Sequence, residues 1–323
     1  MSTRVSSWIR LAALGGAVAA VALASAVAIR KYRKAEPEHP PAVLRDGAGR
    51  TVYLDFHLRH TRADPPVAFF KAADGRPSIA LTFDCAWVEE PAAMRILEFL
   101  EENGIRATFF ISGPFVFADY RKGVAGGLNL TNLRIIRRMI EGGHEFGSHT
   151  VTHPHNEVGV DWEWENAELR RGWGAIARQA FGEGSLPATA AMLPLWRAPY
   201  GEYDDRSLRM ASRAGFPIQV GWSVDVHDGL GLTRCGEFPT EDCLDPKRMT
   251  DRVLAAAERG PFVGLVVLAH LQNPYDWSGT PDGLARLVEA ATERGVRFRP
   301  FSEIFDWSLA PDVVRLSGAQ PSP

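Results

Sequence analysis

The chain has 323 residues, 46% of them hydrophobic and 23% charged, with a formal net charge of −3. That length suffices for one barrel-sized domain with small additions. The near-neutral balance leaves no basic surplus for a nucleic-acid partner and suits a neutral glycan or a small amide.

At the start, Arg4 and Arg10 precede an Ala/Gly/Val-rich run over 11–29, and Arg30, Lys31, Arg33 and Lys34 come after it. Residues 1–34 therefore read as a membrane-targeting segment, near the length of a spanning helix. Ala24-Ser25-Ala26 and Ala26-Val27-Ala28 also fit a signal-peptidase site, so anchor and cleaved signal both stand. The flank after the run is the more basic one, which by the charge rule alone keeps the C-terminal domain in the cytoplasm. Residues 35–42, rich in Pro and Glu, read as a linker, and 51–58 alternate apolar and polar positions as an accessory strand does. Together 35–76 form a linker and accessory strand.

From residue 78 onward, short apolar runs (78–83, 106–111, 193–196, 216–220, 262–268) alternate with amphipathic stretches (91–103, 131–141, 204–214, 246–259, 282–294). The alternation predicts βα units around a parallel sheet. No Gly-x-Gly-x-x-Gly opens a helix, which argues against an open dinucleotide-binding sheet. Residues 114–129 and 156–164 break the pattern and are expected as loops near the functional rim. Trp162 and Trp164 in the second either stack on sugar rings or pack their own loop. Cys235 and Cys243 bracket a short polar loop and form one local disulfide in an oxidising compartment, or stay reduced; pairing them leaves Cys85 as the odd thiol. Residues 309–323 are a C-terminal tail.

Polar motifs stand at or just after the apolar runs: Thr82-Phe83-Asp84-Cys85, His149-Thr150-Val151-Thr152-His153, Arg197-Ala198-Pro199-Tyr200, Asp225-Val226-His227-Asp228 and Leu268-Ala269-His270. In a parallel barrel the C-terminal strand ends share one rim, so residues far apart in sequence meet there. His149 and His153 are imidazole donors of the kind zinc takes, although the same spacing also describes two neighbours on a helix surface. A serine hydrolase is excluded by the lack of a Gly-x-Ser-x-Gly elbow, and a glycosidase leaves the histidine pair unexplained.

In order and content these motifs resemble the polysaccharide deacetylase family, also called NodB-homology or carbohydrate esterase family four. Its pattern runs Thr-Phe-Asp-Asp, His-Ser/Thr-x-x-His, Arg-x-Pro-Tyr, Asp-x-x-Asp-Trp and Leu-x-His, and the likeness covers 77–307. The resemblance implies an α/β fold, an irregular (β/α) barrel of the polysaccharide deacetylase type, with 77–308 as the catalytic domain. It further implies metal-dependent removal of N-acetyl groups from a cell-envelope amino-sugar polymer, peptidoglycan or a related glycan. Such a substrate favours an extracytoplasmic, anchored or secreted protein over the charge-rule orientation. A membrane contact through residues 1–34 is expected, and no protein partner is implied.

By the same resemblance, Asp84 is the catalytic base, Arg197 its ion-pair partner and His270 the general acid. Asp225 orients His270, with Asp228 as a substitute, and the Tyr200 backbone N–H faces the oxyanion. His144, His155 and His227 are supporting residues. Two positions depart from the pattern: Cys85 replaces the second aspartate, a metal ligand in the family, and Gly229 replaces the tryptophan. Thiolate is a zinc ligand, so Cys85, His149 and His153 are expected to hold Zn2+. The other reading makes Cys85 an inert buried residue and leaves a two-histidine site. A glycan-binding module that has lost its metal, and a hydrolase of small non-glycan amides on the same fold, are the competing functions.

Overall fold

The computed structural model describes residues 43–45, 51–56, 74–182, 184–228, 245–258, 264–271, 277 and 281–309. The N-terminal segment, the linker, the Cys235–Cys243 loop and most of the C-terminal tail lie outside these residues. Among the described residues no helix is long and apolar enough to cross a membrane.

A mostly apolar, fully buried octapeptide starts the barrel. β3, Ser78–Cys85, is buried at every position, as a parallel strand covered on both faces must be. Its side chains alternate. Ile79, Leu81, Phe83 and Cys85 join the large cluster beneath the helices, whereas Ala80 belongs to a second, inner cluster with Phe110, Leu195, Ile218, Val220 and Val266. Thr82 and Asp84 continue the inner row.

The sheet runs β1-β2-β7-β6-β5-β4-β3-β9-β8, with β1 Val43–Arg45, β2 Thr51–Phe56, β4 Thr108–Ile111, β5 Glu145–Ser148, β6 Met192–Trp196, β7 Ile218–Val220, β8 Val224–Asp225 and β9 Gly264–His270. Every pair from β2 to β8 is parallel, and only β1 is antiparallel, to β2. β8 and β1 are the two ends of that order, so the expected barrel is a half-barrel among the described residues. The accessory strand expected near 51–58 is β2, and it enters the sheet beside β7. A final strand, β10 Arg297–Phe298, pairs with the first two residues of β3. After it, Phe301, Ile304 and Phe305 fill the inner cluster from below.

The helices are α1 Glu90–Glu102, α2 Gly113–Val116, α3 Leu133–Glu141, α4 Trp162–Phe181, α5 Asp205–Arg213, α6 Pro246–Glu258, α7 Arg286–Glu293 and α8 Phe301–Ile304. α5 begins with a capping box: the Asp204 carboxylate accepts from Ser207 N while the Ser207 hydroxyl serves Asp204 N. α4 replaces part of the loop expected at 156–164. Asp161 caps it, accepting from Trp164 N at 3.0 Å, and Leu169, Trp173, Ile176 and Ala177 pack into the core. Gly172 lets α4 lie against Phe117, since a Cβ there would stand 2.2 Å from the ring. The other expected loop, 114–129, is also held down, with Phe115, Val116 and Phe117 buried.

Candidate active site

Parallel strands deliver the motif residues to one end of the sheet, as expected. Asp84 and His270 are register partners on β3 and β9. His149 follows β5 directly, and its N–H extends the ladder to Ile111 O; Arg197 follows β6 and bonds Ser148 O in the same way. Below them lies the apolar interior, with the Arg197 guanidinium 4.2 Å above the Phe110 ring.

Arg197 is fully buried, yet its donors are used. Nη1 donates to Asp84 Oδ1 at 2.8 Å, Nη2 to Thr82 Oγ1 at 2.7 Å and Gly221 O at 3.2 Å, and Nε to Val220 O at 3.1 Å. A buried cation needs this degree of compensation. For Asp84, burial alone would raise the carboxyl, but the favourable electrostatics of the His149, Arg197 and His270 side chains outweigh it and hold the group below the ordinary carboxylate value. It is an ionised carboxylate in a sheltered place.

The second carboxylate oxygen, Asp84 Oδ2, stands 3.3 Å from His149 Nε2. His149 Nδ1 lies 2.9 Å from Arg197 O, and a carbonyl only accepts, so Nδ1 carries the proton and Nε2 presents a lone pair. His153 Nε2 is 3.1 Å from that same nitrogen. Burial pushes the His149 imidazole down, and burial together with His149 takes His153 down to about 3, so both rings are neutral near pH 7. The Thr150 and His153 backbones that shape this loop have φ of 67° and 54°, the left-handed region that side chains rarely enter.

Two imidazole nitrogens at this separation suit a tetrahedral zinc, whose nitrogen ligands at about 2.0–2.1 Å stand about 3.3 Å apart. The third expected ligand is not brought to them. Strand alternation turns Cys85 away from Asp84 into the apolar cluster, where its thiol donates to Phe83 O at 3.6 Å. Burial, with the Asp84 charge second, drives its pKa well above the usual thiol value, so it stays a thiol rather than a metal-binding thiolate. Among the described residues no group of three or more His, Cys, Asp and Glu side chains is arranged to hold a metal. The residues present therefore do not complete the three-ligand centre expected from the motifs.

His270 Nδ1 pairs with Asp228 Oδ1 at 2.7 Å, and His270 N donates to Asp228 Oδ2 at 2.9 Å. Asp225, expected in this role, is displaced from it. It ends the two-residue β8 level with Leu268, two residues short of His270, and its carboxylate accepts from His227 N at 2.7 Å. The turn so capped carries Asp228 back to the histidine. Burial lowers the His270 pKa, but Asp228 first, then Asp84 and Asp225, raise it to about 9 overall. His270 is thus an imidazolium at neutral pH.

Tyr200 is 55% exposed, with φ of 57°; its ring lies flat on His155 at 3.9 Å and edge-on to His153 at 4.7 Å. Trp87 is 62% exposed, three residues after Asp84, with its ring edge-on to Tyr120 at 5.9 Å. Trp162 and Trp164 are not exposed platforms: Trp162 is buried beside Trp196, and Trp164 packs partly against the main core. His144 is structural, its Nδ1 accepting from Ala107 N at 3.1 Å while burial lowers it to about 4.

Sequence reasoning missed Glu165, on the first turn of α4. Its Oε2 accepts from Val151 N at 2.7 Å and Thr152 N at 2.8 Å, and its Oε1 from the Thr152 hydroxyl at 2.6 Å. Next to it, Asn166 Oδ1 accepts from Ser148 Oγ at 2.7 Å. An acidic residue one position beyond the loop expected at 156–164 offered no signal of this contact.

A family model described as Polysaccharide deacetylase matches residues 71–218. A chitooligosaccharide deacetylase of Sinorhizobium fredii is 30% identical over 243 residues, covering 71% of this chain and 92% of the relative. A peptidoglycan-N-acetylglucosamine deacetylase of Bacillus cereus is 26% identical over 240 residues, 74% of this chain and 72% of the relative. Among solved structures, a peptidoglycan N-acetylglucosamine deacetylase aligns at TM-score 0.51 with 24% identity, over 73% of this chain and 91% of that one. A carbohydrate esterase family four pseudoenzyme from Bacillus anthracis aligns at 0.51 with 21% identity, over 72% and 66%. These structural likenesses establish the half-barrel fold.

Proposed function

This chain belongs to the polysaccharide deacetylase family, and from that premise we propose that it hydrolyses N-acetyl groups on a cell-envelope amino-sugar polymer, peptidoglycan or a related glycan, releasing acetate. The observation that carries the reading is the Asp84 carboxylate, clamped by buried Arg197 on one oxygen and open toward the imidazole pair on the other, with His270 on the adjacent strand. Asp84 takes a proton from the attacking water, and Arg197 keeps it ionised. The Tyr200 N–H is offered to the oxyanion. His270, as imidazolium, gives its proton to the departing amine, and Asp228 holds the ring for that transfer.

In this family the reaction uses a divalent ion. The donor set here fits zinc only as the pair His149 and His153, so the steps proposed use the chain's own groups. Cys85→Ser is expected to leave zinc uptake by the histidines unchanged and to lower thermal stability, since an unpaired hydroxyl in an apolar site costs about 1–3 kcal/mol. Isothermal titration with zinc and a melting curve check this. Envelope placement, through the 11–29 segment as anchor or cleaved signal, belongs to the same proposal.

Among the described residues, Trp87, three residues after Asp84, and Tyr200, edge-on to His153, are exposed aromatic side chains, and we assign them to sugar-ring contacts. Trp87→Ala is expected to raise KM for longer oligomers about 2- to 10-fold, the worth of one aromatic contact, and to leave kcat near wild type. Equal effects on the shortest and longest oligomers would remove Trp87 from the glycan path.

Acetate measured from the purified protein with N-acetylglucosamine oligomers and with peptidoglycan tests the main reading. A second reading, glycan binding without turnover, is favoured by one observation, the core-facing Cys85 at the position of a family ligand. Oligomer binding with no acetate release would select it.

A further inference from the structure

We propose that Glu165 is the positioning residue of the histidine pair: a buried carboxylate on α4 that holds the 149–153 loop in the conformation which aims both imidazoles at one point. The loop has little reason to keep that shape alone, because Thr150 and His153 are in the left-handed region. Two successive amides, Val151 N and Thr152 N, turn toward the same oxygen of Glu165, and the Thr152 hydroxyl takes the other. Successive N–H groups converging on an anion form a backbone nest, and here the anion is part of the protein. The N-terminal end of α4 adds its favourable field.

Neighbouring contacts leave the loop no slack. Gly113 N donates to Thr150 O at 3.0 Å, and a Cβ on Gly113 would stand 2.0 Å from Val151 O. Asn166 grips Ser148 just before the loop. Glu165 touches neither imidazole, so it acts through geometry. A glutamine at 165 keeps the two amides on its Oε1 and can donate its NH2 to the Thr152 hydroxyl, which also accepts, so the substitution removes the negative charge of the nest while keeping size and fold.

The rate readout of this proposal rests on the deacetylase reading; the spectroscopic readout does not. Glu165→Gln in the full chain is expected to melt cooperatively and to shift the ring 15N signals of both His149 and His153. It is expected to lower kcat about 10- to 100-fold with KM unchanged, the usual cost of removing the support that orients metal-binding imidazoles. Glu165→Asp, which keeps the charge, is expected to recover part of both. A folded Glu165→Gln with wild-type ring signals would overturn the proposal. If that variant does not fold, Thr152→Val removes one of the three bonds, and unmoved His153 signals there would overturn it equally. Moved signals in a protein whose wild type releases no acetate would uphold the positioning role and discard the deacetylase reading.

Discussion

Asp84→Asn is expected to reduce acetate release about 10²- to 10⁴-fold, the usual span for losing a general base. The substitution is nearly isosteric, and an amide oxygen still accepts from Arg197 Nη1, so the loss will reflect proton affinity rather than collapse. Stability should fall as well. Arg197 is buried with one carboxylate partner at 2.8 Å, and its remaining bonds go to neutral oxygens. Removing a partner from a buried pair commonly costs about 3–5 kcal/mol, and the retained hydrogen bond should hold the cost to the low end. The checks are kcat/KM on an N-acetylglucosamine oligomer and the unfolding midpoint of the same preparation. A variant that melts like wild type and keeps more than a tenth of its activity would take the base role from Asp84.

The same ion pair gives the fold an acid limit. Asp84 sits below its ordinary pKa, so the pair's contribution is present above that ordinary value and is lost as pH falls through the depressed one. Activity that depends on ionised Asp84 is therefore expected to persist well into the acid range, until the carboxylate is protonated.

Much of this site was legible because buried parallel strands write themselves as continuous apolar runs. Strands β3, β6 and β9 could each be located, and with them the polar residue at each end. What escaped had specific causes. The helix Trp162–Phe181 reads poorly because Glu165, Asn166 and Glu168 are buried on it. They spend their polarity on Thr152, Ser148 and Val124 N, so the apolar period is broken by groups that serve other loops. Cys85 was misplaced although the signal was present: in a strand, neighbours face opposite ways, so an inward Asp84 sends Cys85 outward while β3 lasts. The choice of Asp228 over Asp225 depended on where the two-residue β8 stops and its turn begins, which no local pattern marks.

His270→Gln is expected to cost about 10²- to 10⁴-fold in kcat, because an amide has no proton to give the departing amine. The pH profile identifies the partner. With His270 raised to about 9, the rate should hold through neutrality and fall as pH rises through about 9, where the imidazolium loses its proton. The sign for stability is the same: the pair contributes fully below the ordinary histidine value near 6.5, and the contribution fades as pH rises through the folded value. Three carboxylates face this ring, from Asp228, Asp84 and Asp225, against burial, which opposes the charge. Asp228 is the one in contact, at 2.7 Å, so Asp228→Asn should move the alkaline limb toward lower pH. Asp225→Asn should move it less, since that carboxylate is engaged with His227 N and acts on His270 through space alone. The measurement is kcat/KM for acetate release from pH 6 to about 10.5, a span that brackets a limb near the raised histidine value. A limb that moves with Asp225→Asn but not with Asp228→Asn would restore Asp225 as the partner, and a limb unmoved by both would take the proton donor elsewhere.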